Sequence, residues 1–151
     1  QGALIFYCTY MAMNDQATTA SLIIPCLVAS LLIGALYPLT QIYQHVADKQ
    51  DGVITISYIL GKRGSFLFSG LLFIAATAGL FYLFNKQQQL NFFYLFLLFT
   101  LPVVLFFLYW FWRVWKDEGE ANFKNSLWMN VIATLGTTGY FTTLIILNHF
   151  E

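Results

Sequence analysis

Charged residues are the scarcest class in this chain. Of its 151 residues only 9% are Asp, Glu, Lys or Arg, whereas 59% are hydrophobic. A soluble domain of this length cannot enclose so much apolar surface, so the composition excludes a soluble globular protein and predicts a polytopic membrane protein. The formal net charge of zero, without any run of basic residues, argues against a nucleic-acid partner.

Cysteine and histidine are also rare, with two residues of each. Their spacing matches no zinc or haem motif, and the sequence lacks a Ser/His/Asp set and a phosphate-binding glycine loop. Strand-like alternation is absent, and the apolar runs are too long and uniform for the strands of a barrel. We therefore expect an all-α transmembrane helical bundle, and the hydrolase and nucleotide-binding classes fit poorly.

Five apolar segments are predicted as membrane spans. They cover residues 2–13, 17–39, 65–84, 92–112 and 126–150, and together they form one membrane domain over residues 1–151. The first segment is short and has neither an initiator Met nor a signal-peptide start. We therefore expect a span that is cut at its front end, in a chain that is part of a longer protein.

The basic residues predict how the bundle is oriented. Six of the seven lie in or beside the loops that follow the second and fourth spans, namely Lys49, Lys62, Arg63, Arg113, Lys116 and Lys124. The loops of the opposite face hold only Lys86. The positive-inside rule places the basic side in the cytosol, so we expect a multi-pass protein surrounded by lipids of a bacterial cytoplasmic membrane.

Residues 37–55 form a polar island between the second and third spans. A helix that continued past Pro38 would carry four polar side chains on one face, those of Gln41, Gln44, Asp48 and Asp51. A stripe of acids and amides at the mouth of a membrane bundle is costly unless it meets water, a cation or a polar ligand. The pattern therefore predicts a binding site that opens to the cytosol.

Asp48 is the first candidate for chemistry within this island. Together with Gly52 and Thr55 it forms the pattern Asp-x-x-x-Gly-x-x-Thr, which puts a carboxylate just before a turn. Lys49 and a predicted turn at residues 61–64, Gly-Lys-Arg-Gly, add positive charge nearby. This combination suits a magnesium-bound diphosphate, because oxygen ligands hold the cation and basic side chains neutralise the remaining phosphate charge.

Other interpretations of these residues stay open on spacing alone. The island can be a solvated loop in which Lys62 and Arg63 only anchor the topology. A second acidic candidate, Asp15, follows Asn14 in a predicted tight turn on the opposite face, where it would cap the second helix. His45 can serve as a general base or simply lie at the interface, since the sequence identifies no partner for it.

The segment 40–66, TQIYQHVADKQDGVITISYILGKRGSF, resembles the second aspartate-rich region of the UbiA-type intramembrane prenyltransferases. The matching positions are Asp48, Gly52, Thr55, Leu60, Gly61 and Lys62. The stretch 121–133, ANFKNSLWMNVIA, is similar to the last helix of many members. That family has nine helices, with acidic motifs after the second and the sixth. The resemblance implies that the five spans correspond to helices five to nine, the C-terminal half of the fold.

The resemblance also implies roles for single residues. Asp48 would bind magnesium on one wall of a central cavity, and Lys49, Lys62 and Arg63 would contact the diphosphate. Tyr43 would face the same cavity, and Gln41, from the polar stripe, is a further candidate for substrate binding. Gln44 stands where family members commonly have an aspartate, so it would offer magnesium a neutral amide oxygen, and Asp51, one turn further along, would compensate as a ligand.

The function implied by the resemblance is magnesium-dependent transfer of an isoprenyl group. The donor would be a prenyl diphosphate, and the acceptor an aromatic or other lipophilic molecule such as a quinone-precursor ring. The motif of the opposite wall is absent from this chain, so we expect the 151 residues alone to be inactive. The neutral Gln44 motivates an alternative, a catalytically degenerate binding or structural subunit, and a small transporter or membrane scaffold is a third possibility.

Overall fold

A computed structural model of the chain describes residues 2–13 and 19–150. The structure is about 90% helical, and no strand occurs in the described residues. The helices are α1 (Gly2–Met13), α2 (Thr19–Gln41), α3 (His45–Gln50), α4 (Ile56–Lys86), α5 (Leu90–Lys116) and α6 (Phe123–Phe150), with a 3₁₀ turn at Glu118–Glu120. The all-α prediction is therefore confirmed.

Among the described residues, four helical stretches are long and apolar enough to cross a membrane: Ser21–Gln41, Ile56–Lys86, Leu90–Lys116 and Phe123–Leu147. A span needs about 20 apolar residues to cross the hydrocarbon core. The membrane class and four of the predicted spans are thus confirmed. The remaining segment, α1, is an apolar helix of 12 residues, and its role as a fifth span stays a prediction.

At two helix crossings, a Cβ atom added to a glycine would meet the backbone of the neighbouring helix. A Cβ atom on Gly2 of α1 would lie 2.5 Å from the carbonyl oxygen of Ala29 on α2. On α6, a Cβ atom on Gly136 would lie 2.7 Å from the carbonyl oxygen of Phe99 on α5. Small residues let membrane helices approach this closely. These contacts fix α1 against α2 and α5 against α6.

The best-packed part of the bundle surrounds Trp110. This indole is fully buried, its ring meets Phe66 edge-on at 4.8 Å, and its Nε1 donates a hydrogen bond of 2.8 Å to the carbonyl oxygen of Glu120. Elsewhere large apolar side chains such as Leu71 and Leu135 are exposed over most of their surface. Such an exterior is stable in lipid and unfavourable in water. The packed core therefore lies at the end of the bundle where α5 meets the 3₁₀ turn.

The polar island is not one continuous helix, and this part of the prediction is wrong. α2 ends at Gln41 and α3 begins only at His45. In a continuing helix the Leu39 carbonyl would accept the N–H of the residue four positions later. It accepts instead a hydrogen bond of 3.0 Å from the Ser126 hydroxyl of α6, and Ile42 turns into the core as a fully buried side chain. The four polar residues consequently do not share one helical face.

The predicted turn at residues 61–64 is confined to a single residue. Gly61 breaks α4 with φ 67° and ψ 175°, a conformation that is essentially restricted to glycine. The Ser65 hydroxyl donates hydrogen bonds to the carbonyl oxygens of Gly61 at 2.8 Å and Ser57 at 3.3 Å. α4 is therefore two helical segments joined at Gly61, and Lys62 already belongs to the second segment.

Candidate functional site

Asp48 and Thr55 close the loop that joins α3 to α4. The Thr55 hydroxyl donates a hydrogen bond of 3.3 Å to Asp48 Oδ2 and accepts one of 3.2 Å from the backbone N–H of Tyr58, so it also caps α4. The N–H of Val53 donates to the Asp48 carbonyl at 2.8 Å, and Gly52 takes a positive φ of 68° between them. The spacing Asp-x-x-x-Gly-x-x-Thr thus has a conformational basis: it holds the carboxylate at the start of α4.

A chain of hydrogen-bonding groups leads from Asp48 to His45. Ser57 Oγ lies 3.1 Å from Thr55 Oγ1 and 3.1 Å from His45 Nε2. Ser57 is completely buried, so its hydroxyl orients His45 and is not accessible as a nucleophile. The partner that the sequence did not identify for His45 is therefore this serine.

The charges around His45 show which predicted residues lie near each other. Its pKa is lowered from the ordinary value of 6.5, mainly by burial and also by the positive charge of Lys62, whereas the carboxylate of Asp48 acts in the opposite direction. Lys62 and Asp48 are therefore both within electrostatic reach of one imidazole. The shift favours neutral His45 at pH 7.

Lys62 and Arg63 both contact the loop between α5 and α6. Lys62 Nζ donates a hydrogen bond of 2.9 Å to the carbonyl oxygen of Glu118, and Arg63 Nε lies 3.5 Å from Glu118 Oε1. The Arg63 guanidinium also stacks over the ring of Trp115 at 5.3 Å. Because the Arg63 and Glu118 side chains are about half exposed, their ion pair is weak. Another anion can displace it at little energetic cost.

The other predicted site residues lie around the break between α2 and α3. Gln44 Nε2 donates a hydrogen bond of 2.9 Å to the hydroxyl of Tyr43. The Tyr43 ring packs edge-on against Phe123, with centroids 5.2 Å apart. Gln41 ends α2 and is partly buried. These contacts bring Tyr43 and Gln44 together with the start of α6.

The two remaining predicted residues, Lys49 and Asp51, are exposed. They lie at the end of α3, with Asp51 as its C-terminal cap residue. The alternative acidic candidate, Asp15, falls outside the described residues. The structure thus clusters Asp48 with Thr55 and leaves these two charges at the surface.

The donor set fits magnesium only when a phosphate shares the ion. Within residues 2–13 and 19–150 no group of three or more His, Cys, Asp or Glu side chains is positioned to hold a metal. Magnesium commonly binds through one or two carboxylates together with waters and substrate phosphates. Asp48 can supply one such protein ligand, and Asp51 or the amide oxygen of Gln44 can supply a second.

An apolar cavity of about 250 Å³ lies among α2, α4, α5 and α6. Leu36 and Leu39 of α2, Phe107 of α5 and Met129 of α6 contribute to its wall, and no charged residue of the described chain does. Asp48 is therefore not part of this wall. Of the α2 residues in the wall, Leu39 lies nearest in sequence to the polar loop, two residues before α2 ends.

Three residues of these regions escaped prediction from the sequence: Ser57, Glu118 and Ser69. Ser57 follows Thr55 by two residues, and a run of hydroxyl residues at a helix start is a weak signal for such a network. Glu118 contacts residues more than fifty positions away, and Ser69 is inconspicuous within an apolar span. No protein-family model, curated protein or solved structure matches this chain. The inference of function therefore depends on the site itself.

Proposed function

We propose that this chain provides the second acidic loop of a magnesium-dependent membrane prenyltransferase. The observation that carries the proposal is the Asp48–Thr55 contact, with Lys62 close enough to act on the same histidine. Several positions of the resemblance have structural roles here: Gly52 makes the turn of the loop, Thr55 bonds to the Asp48 carboxylate, and Gly61 breaks α4 just before Lys62. Such agreement is expected where a motif shapes a binding loop.

In this proposal the spans correspond to helices five to nine of a nine-helix fold, and the loop faces the cytosol. The clustering of basic residues supports this orientation. Lys62 and Arg63 meet the loop that follows α5, which also carries Lys116 at its start. Two connections that are bordered by basic residues thus lie at one end of the bundle, as the positive-inside rule requires of a cytosolic face.

The reaction is proposed to break the bond between the allylic carbon and the diphosphate oxygen, with the electron pair leaving on the diphosphate. A carbon of the acceptor forms the new bond to the allylic carbon and then loses its proton to the released diphosphate. Lys62 and Arg63 balance the leaving charge, since a cation and an anion about 4 Å apart near a protein surface attract by about 4 kcal/mol. Thr55 donates a hydrogen bond to Asp48 Oδ2 and so fixes the carboxylate that would hold magnesium. Bound magnesium would neutralise further charge on the diphosphate.

Substitution of Asp48 tests this proposal in the full-length protein. We expect Asp48→Asn to lower the turnover number of prenyl transfer by at least about a hundredfold, because the metal-binding charge is lost. The matched control is Asp117→Asn, which removes the same charge from the adjacent loop, where Asp117 binds the Gly119 N–H. The measurement is transfer of a labelled prenyl group in membranes, with correct folding checked by chromatography. Unchanged turnover in Asp48→Asn would refute the proposal.

Substitution of Lys62 tests the diphosphate contact separately. Lys62→Ala is expected to weaken the binding of a prenyl diphosphate, and Lys124→Ala, which removes a basic residue from the start of α6, is the matched control. Equal binding of the prenyl diphosphate by the two variants would mean that Lys62 only anchors the topology of the chain.

A degenerate binding subunit is the second candidate, and specific contacts favour it. Gln44 replaces an acid and donates its amide hydrogen to Tyr43, and Lys62 and Arg63 already bind Glu118. This candidate predicts that the full-length protein binds no magnesium pyrophosphate by calorimetry and that Asp48→Asn changes nothing. Retained binding of lipophilic molecules with no transfer activity would favour it over the enzyme.

A further inference from the structure

Ser69 is the one side chain of the described residues whose buried polar atom has no hydrogen-bond partner. Its surface is only 2% exposed. Other hydroxyl side chains of the spans donate to the carbonyl oxygen four residues earlier, each at 2.8 Å: Thr77, Thr100, Thr137 and Thr143. Ser69 departs from this pattern, although the same type of acceptor lies one turn before it on α4.

An unpaired hydroxyl inside a membrane bundle calls for a physical reason. Water is absent from the surrounding hydrocarbon, so the group loses its hydrogen bonds on burial without compensation. Ser69 lines the apolar cavity between α2, α4, α5 and α6. The orphaned oxygen and the empty space therefore occur at the same place.

The size of the cavity defines what can enter it. An apolar cavity of about 150 Å³ can stay free of water and bind benzene. The cavity beside Ser69, at about 250 Å³, has room for more than a single aromatic ring. Ordered water is a poor occupant, because a buried water needs two to four polar partners. Thr100 and Thr137, the other hydroxyl residues of the wall, already bond to carbonyl oxygens.

Polarity narrows the ligand further. The wall contains no charged side chain from the described residues, so an ion would lose its hydration without gaining a partner. A serine hydroxyl both donates and accepts, and rotation about one bond suffices to aim it at a ligand. The wall thus offers apolar contact and one hydrogen bond.

We infer that this cavity binds an uncharged, lipid-soluble molecule with a body of one or two rings and a single hydroxyl or carbonyl oxygen that pairs with Ser69. Such a ligand satisfies the orphaned hydroxyl and fills the apolar space. The inference concerns binding alone, so it stands whether or not the chain takes part in prenyl transfer. Under the proposed function, it restricts the acceptor to a neutral molecule.

The test compares two ligands in two proteins. Binding of 1-naphthol and of naphthalene to the full chain in lipid nanodiscs is measured by titration calorimetry against empty nanodiscs. We expect the native chain to prefer 1-naphthol, and Ser69→Ala to reduce this preference by roughly two- to tenfold, the value of one neutral hydrogen bond. Naphthalene affinity stays unchanged. The partition of the two probes into lipid does not affect the result. The preference is the ratio of the affinities for 1-naphthol and naphthalene, and partition changes this ratio equally for the native chain and the variant.

Thr100→Val is the matched control, since it removes a hydroxyl from the same wall that is already bonded to the Phe96 carbonyl. Its preference for 1-naphthol should equal that of the native chain. Ser69→Cys, which is somewhat larger and a weaker donor, should give an intermediate preference and provides a second variant if Ser69→Ala folds poorly. An unchanged preference in both Ser69 variants overturns the inference. So does binding of neither probe by the native chain, or equal binding of charged 1-naphthoate.

Discussion

Ser65 and Ser69 lie one turn apart on α4 and belong to regions of opposite character. Ser65 sits at the helix break, where its hydroxyl bonds to the carbonyl oxygens of Gly61 and Ser57. Ser69 sits beside the apolar cavity, where its hydroxyl has no partner. The polar groups of the first region satisfy one another, whereas the second region has an unmet hydrogen bond. A ligand must therefore displace existing contacts in the first region and can simply add contacts in the second.

This difference determines which protein contacts each ligand must displace when it binds. A diphosphate that approached Lys62 or Arg63 would first have to replace the contacts of these residues with Glu118. A neutral lipophilic molecule in the cavity breaks no protein hydrogen bond. We therefore expect the lipophilic ligand to bind without magnesium, and the anionic ligand to bind in competition with Glu118.

The largest effect on stability is expected at the break itself. Gly61 has open space around a would-be Cβ atom, so Gly61→Ala introduces backbone strain without a steric clash. That strain should destabilise the fold by about 1–3 kcal/mol. The measurement is unfolding by SDS titration in mixed micelles.

Gly70→Ala, nine residues further along the same helix, is the matched control for this substitution. Gly70 has helical φ and ψ, and its added Cβ would meet Phe107 at an ordinary contact distance of 3.6 Å. It should stabilise the protein by up to about 1 kcal/mol, because alanine favours helix interiors. Equal effects of the two substitutions would show that Gly61 is not under conformational constraint.

The sequence predicts the apolar membrane spans better than the polar segment between α2 and α4. Uninterrupted hydrophobic runs predict helices by composition alone, so four spans were found. The interruption between α2 and α3 is not predicted, because it depends on a hydrogen bond from Ser126 to Leu39, 87 residues apart in sequence. The start of α4 was also missed, since residues 56–64 are more polar than the span that they join.

Within the site, local spacing was informative and long-range contacts were not. The link between Asp48 and Thr55 crosses only seven residues and follows from the motif. The contact of Lys62 with Glu118 depends on how α4 and α5 pack, which periodicity does not specify. The missing partner of Ser69 is likewise a property of tertiary structure, because any serine in an apolar helix has the same local sequence signal.

A pair of smaller substitutions compares the two serines directly. Ser65→Ala removes the one hydroxyl donor that two carbonyl oxygens share at the break and should destabilise the protein by about 0.5–1.5 kcal/mol. Ser69→Ala removes a hydroxyl that is unpaired without ligand and should stabilise the unliganded protein by up to about 1 kcal/mol. Both are measured by the same SDS titration. A loss of stability in Ser69→Ala would mean that its hydroxyl has a partner in the membrane, contrary to the inference about the cavity.

The smallest expected effect concerns the pH dependence of the polar region. Folding lowers the pKa of His45 through burial and through Lys62, so the unfolded chain binds a proton more readily than the folded chain near pH 6.5. The contribution of His45 to stability is therefore fully present above pH 6.5 and decreases as the pH falls below 6.5.

Substitution of His45 tests this pH dependence. His45→Gln keeps a hydrogen-bonding group near Ser57 and removes the titration of the imidazole. Its unfolding midpoint between pH 7.5 and 5.5 should fall less than that of the native chain, whereas Ser69→Ala, in a cavity without titratable groups, should run parallel to the native curve. If the unfolding midpoints of His45→Gln and of the native chain changed equally with pH, protonation of His45 would not be coupled to folding. The electrostatic effects of Lys62 and Asp48 on a common imidazole would then be refuted.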